Sequence, residues 1–160
     1  MKHSVLLDTS FFIRLLHDGD PLHRNAIDYF KYFAEKEIAM KVSTISIAEY
    51  CVKGTVDELP LKKLQILPFN FDHSKKAGEF AKLIFDSKSV SWDDLKPRAI
   101  IPNDTKLFAQ ADTDQSVTHF VTSDSGCRKV HEILNRATSV KFQIIDISIP
   151  YNEVFGILNL

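Results

Sequence analysis

Ser4-Val5-Leu6-Leu7-Asp8-Thr9-Ser10 decides the fold. A short apolar run stopped by an acid has the length and polarity of a buried β-strand, too brief for a helix. A second run of the same shape, Phe120-Val121-Thr122-Ser123, is stopped by Asp124. Both acids stand where a strand hands over to a helix.

The rest of the chain repeats the alternation. Ile38 to Ser43, Gln65 to Phe69 and Phe142 to Ile147 read as further strands, and Val117 to Thr122 completes the run before Asp124. Between them lie helical periods. Asp20 and Pro21 suit N-cap and N1 of a helix whose inner face is Leu22, Ala26, Tyr29, Phe30 and Phe33. Ser43 or Thr44 can cap a helix carrying Glu49. Asp72 reads as the cap of a helix with Ala77, Phe80, Ala81 and Ile84 inside, and Asn103 or Asp104 as the cap of one with Leu107, Phe108 and Ala111 inside. After Asp124 a helix turns Val130, Ile133 and Leu134 inward. Strands separated by helices pair in parallel through crossovers. The expected fold is therefore α/β: a three-layer α/β/α sandwich around a mostly parallel sheet, with residues 1–160 as one domain. In such sheets ligands bind beyond the carboxyl ends of the strands, where Asp8 and Asp124 arrive together.

Bulk composition narrows the function. Five Gly in 160 residues leave no Gly-rich phosphate loop and disfavour an all-β chain full of tight turns. A net charge of −1 provides no global field for nucleic acid or acidic lipid, so any nucleic-acid ligand needs a local basic patch or a metal. Cys51 and Cys127 are far apart and read as buried free thiols, which fits a reducing compartment. No signal peptide or membrane-length apolar stretch is visible, so a soluble, cytoplasmic protein is expected. His17, His23 and His73 show no zinc spacing and read as structural or surface residues.

Four acids carry the chemistry: Asp8, Glu49, Asp104 and Asp124. Taken singly, each has a plain reading. An Asp at a strand-to-helix junction is more often a cap than a ligand, and a helical Glu is usually solvated. Glu49 borders an apolar face read as Ile45, Ala48 and Val52, which makes its carboxylate half-buried. Gathered in one pocket, such acids repel one another unless a cation intervenes. Mg²⁺ or Mn²⁺ suits oxygen ligands and can activate water against phosphorus. No Ser/His/Asp or Cys/His grouping offers another nucleophile.

Val5-Leu6-Leu7-Asp8-Thr9-Ser10, Thr44-Ile45-Ser46-Ile47-Ala48-Glu49, Asn103-Asp104 before Leu107-Phe108-Ala109, and Thr122-Ser123-Asp124-Ser125-Gly126 together resemble the PIN-domain family of nucleases. The resemblance covers nearly the whole chain in the same order. It is nearest to the short ribonuclease toxins of bacterial toxin–antitoxin pairs, the VapC-like kind. It implies an α/β/α domain that cuts RNA with Mg²⁺ or Mn²⁺, dimerises, and is silenced by an antitoxin lying over the acidic site. It makes Asp8, Glu49, Asp104 and Asp124 the metal ligands, with Thr9, Ser10, Thr122 and Ser123 as hydroxyls orienting carboxylates. Lys106 departs from the small apolar run expected after the third acid. Asp112, about two turns on, competes with Asp104 for that place.

Arg14, Lys53, Arg98, Lys106, Arg128 and Lys129 are candidate phosphate contacts, although the same spacings suit ion pairs within helices. Trp92 can stack on a base or simply anchor its loop. The apolar tail Val154-Phe155-Gly156-Ile157-Leu158 reads as a last packed segment. Two other functions compete with the ribonuclease. One is a non-catalytic domain of the same fold that binds RNA or protein. The other is an aspartate-nucleophile phosphatase, disfavoured because position 10 is Ser where that chemistry wants a second acid.

Overall fold

The computed structural model describes residues 3–87 and 101–156; Trp92 and Arg98, and Ile157 and Leu158 of the apolar tail, lie outside the described residues. Five strands run β1 (Ser4–Leu7), β2 (Ala39–Ser43), β3 (Leu64–Leu67), β4 (Val117–Thr122) and β5 (Gln143–Asp146). They form one sheet in the order β3-β2-β1-β4-β5, and every pairing is parallel. The sheet expected to be mostly parallel is parallel throughout.

Around it lie α1 (Thr9–Leu15), α2 (His23–Glu35), α3 (Thr44–Tyr50), α4 (Phe71–Asp86), α5 (Ile101–Thr113), α6 (Ser125–Ala137) and α7 (Tyr151–Val154). Side chains alternate across a strand, and β1 shows the consequence. Val5 and Leu7 enter a cluster with Phe11, Phe12, Ala26, Tyr29 and Phe33, while Leu6 enters one with Ala77, Phe80, Leu107, Phe108, Val130 and Leu134. Helices α1, α2 and α7 thus cover one face, and α4, α5 and α6 the other. All four residues of β1 are buried, as the central strand of a doubly covered parallel sheet requires.

The strand order reverses between β1 and β4. From β1 the chain moves outward through β2 to β3, then returns to β4 on the other side of β1. The carboxyl ends of β1 and β4 therefore open a crevice at the switch point.

Several local expectations give way to tertiary demands. Helix α2 begins at His23 with Leu22 as N-cap, two residues later than Asp20-Pro21 suggests. Asp20 instead accepts a bond from the Leu22 amide at 2.8 Å and pairs with Arg14. Helix α4 is capped by Asn70, not Asp72. The Asn70 side chain takes the His73 amide, and His73 Nδ1 takes the Asn70 amide, each at 3.0 Å. Strand β3 stops at Leu67 because Pro68 has no amide to continue the ladder. Helix α5 is already formed at Ile101, so Asp104 lies inside its first turn rather than capping it. Ala48 and Val52 are exposed, Val52 to 79%; the covered side of α3 is Ser46 with Ile45, Ile47 and Tyr50 partly buried. Cys51 is exposed at the end of that helix, and only Cys127 is the buried thiol expected of both. At the chain's end the Phe155 ring stacks on Tyr32 at 4.5 Å, while Val154 beside it is exposed to 38%.

Phe120 is fully buried and meets Phe108 edge-on at 5.1 Å. Phe120→Ala is expected to cost about 3–5 kcal/mol of unfolding free energy, read as a fall in the urea midpoint.

Candidate metal centre

Asp8 is held more firmly than any other acid in the crevice. Its backbone is extended at the N-cap of α1, and Oδ1 accepts the Thr9 amide at 2.8 Å. Oδ2 accepts the hydroxyls of Ser10 and Thr122, each at 2.8 Å. The residue is therefore a helix cap and a fixed carboxylate at once, since the cap uses one oxygen. Burial pushes its pKa up, and the three hydrogen bonds oppose that shift.

Asp124 repeats the cap at the end of β4. Its Oδ1 accepts the Gly126 amide at 2.8 Å, and a Cβ at position 126 would stand 3.1 Å from that oxygen, so glycine permits the close approach. Its own amide donates to Thr122 Oγ1 at 3.0 Å. Thr122 thus joins the first acid to the fourth. Asp124 is exposed, unlike Asp8.

Glu49, half-buried on α3, is reached from two other helices. The Thr9 hydroxyl donates to Oε2, and the Asn103 amide donates to Oε1 at 2.7 Å. Asp104, next to Asn103, is only 9% exposed. Its Oδ1 has the Cys127 thiol at 3.7 Å, and its Oδ2 is buried with no hydrogen-bond partner. Burial raises its pKa to about 7, reinforced by the charges of Asp8, Asp124 and Glu49, with the thiol bond opposing. The same surroundings push the Cys127 thiol far up, so it stays protonated.

All four acids line one cleft of about 260 Å³, together with Thr9, Ser10, Ile13, Asn103 and Leu107. No Lys or Arg is among those lining residues. Three of the four expected hydroxyls touch an acid: Thr9, Ser10 and Thr122. Ser123 does not hold a carboxylate; its hydroxyl accepts Arg14 Nε at 3.3 Å, and its amide donates to Ser10 Oγ at 3.0 Å. Asp112 is drawn away from the cleft. It accepts the Lys141 amide at 2.8 Å and pairs with Lys76 at 3.2 Å, at the opposite end of α5 from Asp104. Asn103 and Cys127 are the residues that sequence reasoning missed as partners of the acids. Asn103 stood out as a cap and as the neighbour of Asp104 in its motif, and Cys127 only as a core thiol.

The donors fit a hard divalent cation. They are carboxylate oxygens with no Lys or Arg among the described lining residues, and Asp104 Oδ2 is a buried acceptor left open. Among the described residues no three His, Cys, Asp or Glu side chains converge closely enough to grip an ion by themselves.

Two of the candidate bases are engaged in ion pairs. Arg14 pairs with Asp20 at 2.5 Å and Arg128 with Asp146 at 3.3 Å. Lys53 lines a separate apolar groove of about 670 Å³ with Ile13, Leu16, Tyr50 and Val52; Ile13 and Glu49 border both groove and cleft.

The Asp104 proton is held more tightly in the folded chain than in the unfolded one. That contribution to stability is complete below about pH 4 and is lost as pH rises through about 7. In chelator-treated protein, Asp104→Asn is therefore expected to be more stable than the parent at pH 8, by at most about 4 kcal/mol. The gain should shrink toward pH 4 in pH-dependent denaturation; a flat difference would contradict the raised carboxyl.

No protein-family model matches the chain, and no curated protein matches it. Solved structures do. The VapBC2 complex of Rickettsia felis bound to a DNA fragment from its promoter is similar with a TM-score of 0.61 and 14% identity, over 89% of this chain and 97% of that one. The DNA-bound VapBC of Salmonella typhimurium gives 0.54 and 16%, over 91% and 98%. VapC20 of Mycobacterium tuberculosis, a toxin that cleaves the sarcin–ricin loop, gives 0.55 and 18%, over 79% and 94%. The five-stranded parallel sheet and its helices are thus the PIN-domain fold of the VapC toxins.

Proposed function

We propose that the chain is a metal-dependent endoribonuclease, the toxin of a toxin–antitoxin pair, with Asp8, Glu49, Asp104 and Asp124 holding Mg²⁺ or Mn²⁺. The observation that carries this reading is the gathering of four carboxylates, at the N-caps of α1 and α6 and on α3 and α5, in one cleft with no Lys or Arg among its described lining residues, with Asp104 Oδ2 buried and unpartnered. The fold shared with VapC structures, one of them named for cleaving the sarcin–ricin loop, supports the same conclusion.

When bound, a hard divalent cation supplies positive charge to phosphate oxygens and makes water acidic enough to attack phosphorus. The chain's own groups fix the geometry. Ser10 and Thr122 lock Asp8 Oδ2, Thr9 and Asn103 lock both oxygens of Glu49, and Gly126 locks Asp124 Oδ1. Pre-set carboxylates need little reorganisation when charge develops on the phosphate. Water as nucleophile leaves a 3′-hydroxyl and a 5′-phosphate. At position 10, where the phosphatase reading needs a second acid, the Ser hydroxyl instead holds Asp8.

The partner reading also has support. Two of the similar structures are VapBC complexes. The apolar groove between α1 and α3 opens beside the cleft, with Ile13 and Val52 exposed to 50% and 79%. An antitoxin helix laying its apolar face there would reach the acids directly.

With Mn²⁺ present, the wild-type chain is expected to cut RNA to 5′-phosphate ends, and a 2′-deoxy nucleotide at the scissile position should still be cut. Thr122→Val is expected to lose about 10- to 100-fold in activity, and Asp8→Asn more than that. Cleavage that survives full chelation, or that needs the 2′-hydroxyl, would overturn the reading.

A further inference from the structure

The four acids are not held alike. Asp8 has three donors and Glu49 two, but the one donor to Asp104 among the described contacts is the thiol of Cys127. Cys127 is 1% exposed, in the first turn of α6, three residues beyond the cap Asp124. The same helix therefore presents one acid to the cleft and, a turn later, a donor to the acid of α5. Asp104 is more than nine-tenths buried, lines the cleft, and has one oxygen on the thiol and the other without a partner. A carboxylate free to rotate about its last bond would exchange those two oxygens. Contact with the thiol distinguishes them.

We infer that Cys127 is a positioning residue for Asp104: its S–H···Oδ1 contact turns the carboxylate so that Oδ2 is the oxygen left for the cation. The inference rests on the nuclease reading and adds a residue to it. A thiol suits the place for two physical reasons. It packs as a small apolar group against a core cluster that includes Leu107, Phe108 and Phe120. It also carries one weak donor, enough to bias a buried carboxylate without competing for the second oxygen.

The rival role is packing alone, and the two roles order the variants oppositely. Mn²⁺ affinity, read from the free-ion electron paramagnetic resonance signal, is compared for wild type, Cys127→Ser, Cys127→Ala and Cys127→Val, with circular dichroism to confirm folding. If the thiol positions Asp104, Cys127→Ser stays close to wild type because its hydroxyl still donates. Cys127→Ala and Cys127→Val then bind Mn²⁺ about 10- to 100-fold more weakly, the range for loss of a group that orients a metal ligand. Wild-type affinity in folded Cys127→Ala or Cys127→Val, or Cys127→Ser no better than Cys127→Ala, overturns the inference and leaves the nuclease reading standing. A wild-type chain that binds no Mn²⁺ overturns both.

Discussion

The pairing of β1 with β4 is the constraint on which the rest of the structure depends. These strands are far apart in sequence yet adjacent in the sheet, and their ladder runs past its last residue, where the Asp8 amide donates to Val121 O at 2.9 Å. That bond brings the end of one strand level with the end of the other. The Thr122 hydroxyl then reaches Asp8 without strain, and the caps of α1 and α6 face one crevice. A parallel sheet covered on both sides supplies the rigidity, because its central strand has no route to solvent.

Crowding acids in that crevice works against folding. Burial and mutual repulsion keep Asp104 partly protonated near neutral pH, and burial raises Asp8 against its three hydrogen bonds. The surrounding structure tolerates this because each acid sits at a helix end or on a helix anchored elsewhere. The core clusters on the two faces of the sheet hold those helices in place. The burial and mutual repulsion that raise the Asp104 carboxyl are the unfavourable electrostatics that a bound cation would relieve.

Much of this was legible in the residues. Asp8 and Asp124 announced themselves by ending apolar runs, and the alternation of strand and helix periods implied a parallel sandwich. The errors fell where local signals were ambiguous. Asp20-Pro21 has the chemistry of a helix start, but Asp20 is engaged by Arg14 and the Leu22 amide. Asp72 has the chemistry of a cap, but Asn70 and His73 form a reciprocal one two residues earlier. Asp104 and Asp112 share the buried side of α5, and only the nearness of the helix start to the strand ends favoured Asp104 in the sequence.

What the sequence by itself determined is whatever depends on neighbours along the chain: strand ends, helix faces, and the two acids that stop a strand and start a helix. Period and capping are short-range, so they can be read directly. Only the tertiary structure decided which acids share a cleft and who holds them. Thr9 reaches Glu49 across 40 positions, Asn103 reaches it across 54, and Cys127 reaches Asp104 across 23. It also sent Asp112 to Lys76 and Lys141, at the other end of α5 from Asp104. Such contacts follow from how helices dock on the sheet, and docking is set by the summed packing of two core faces, which no local pattern encodes.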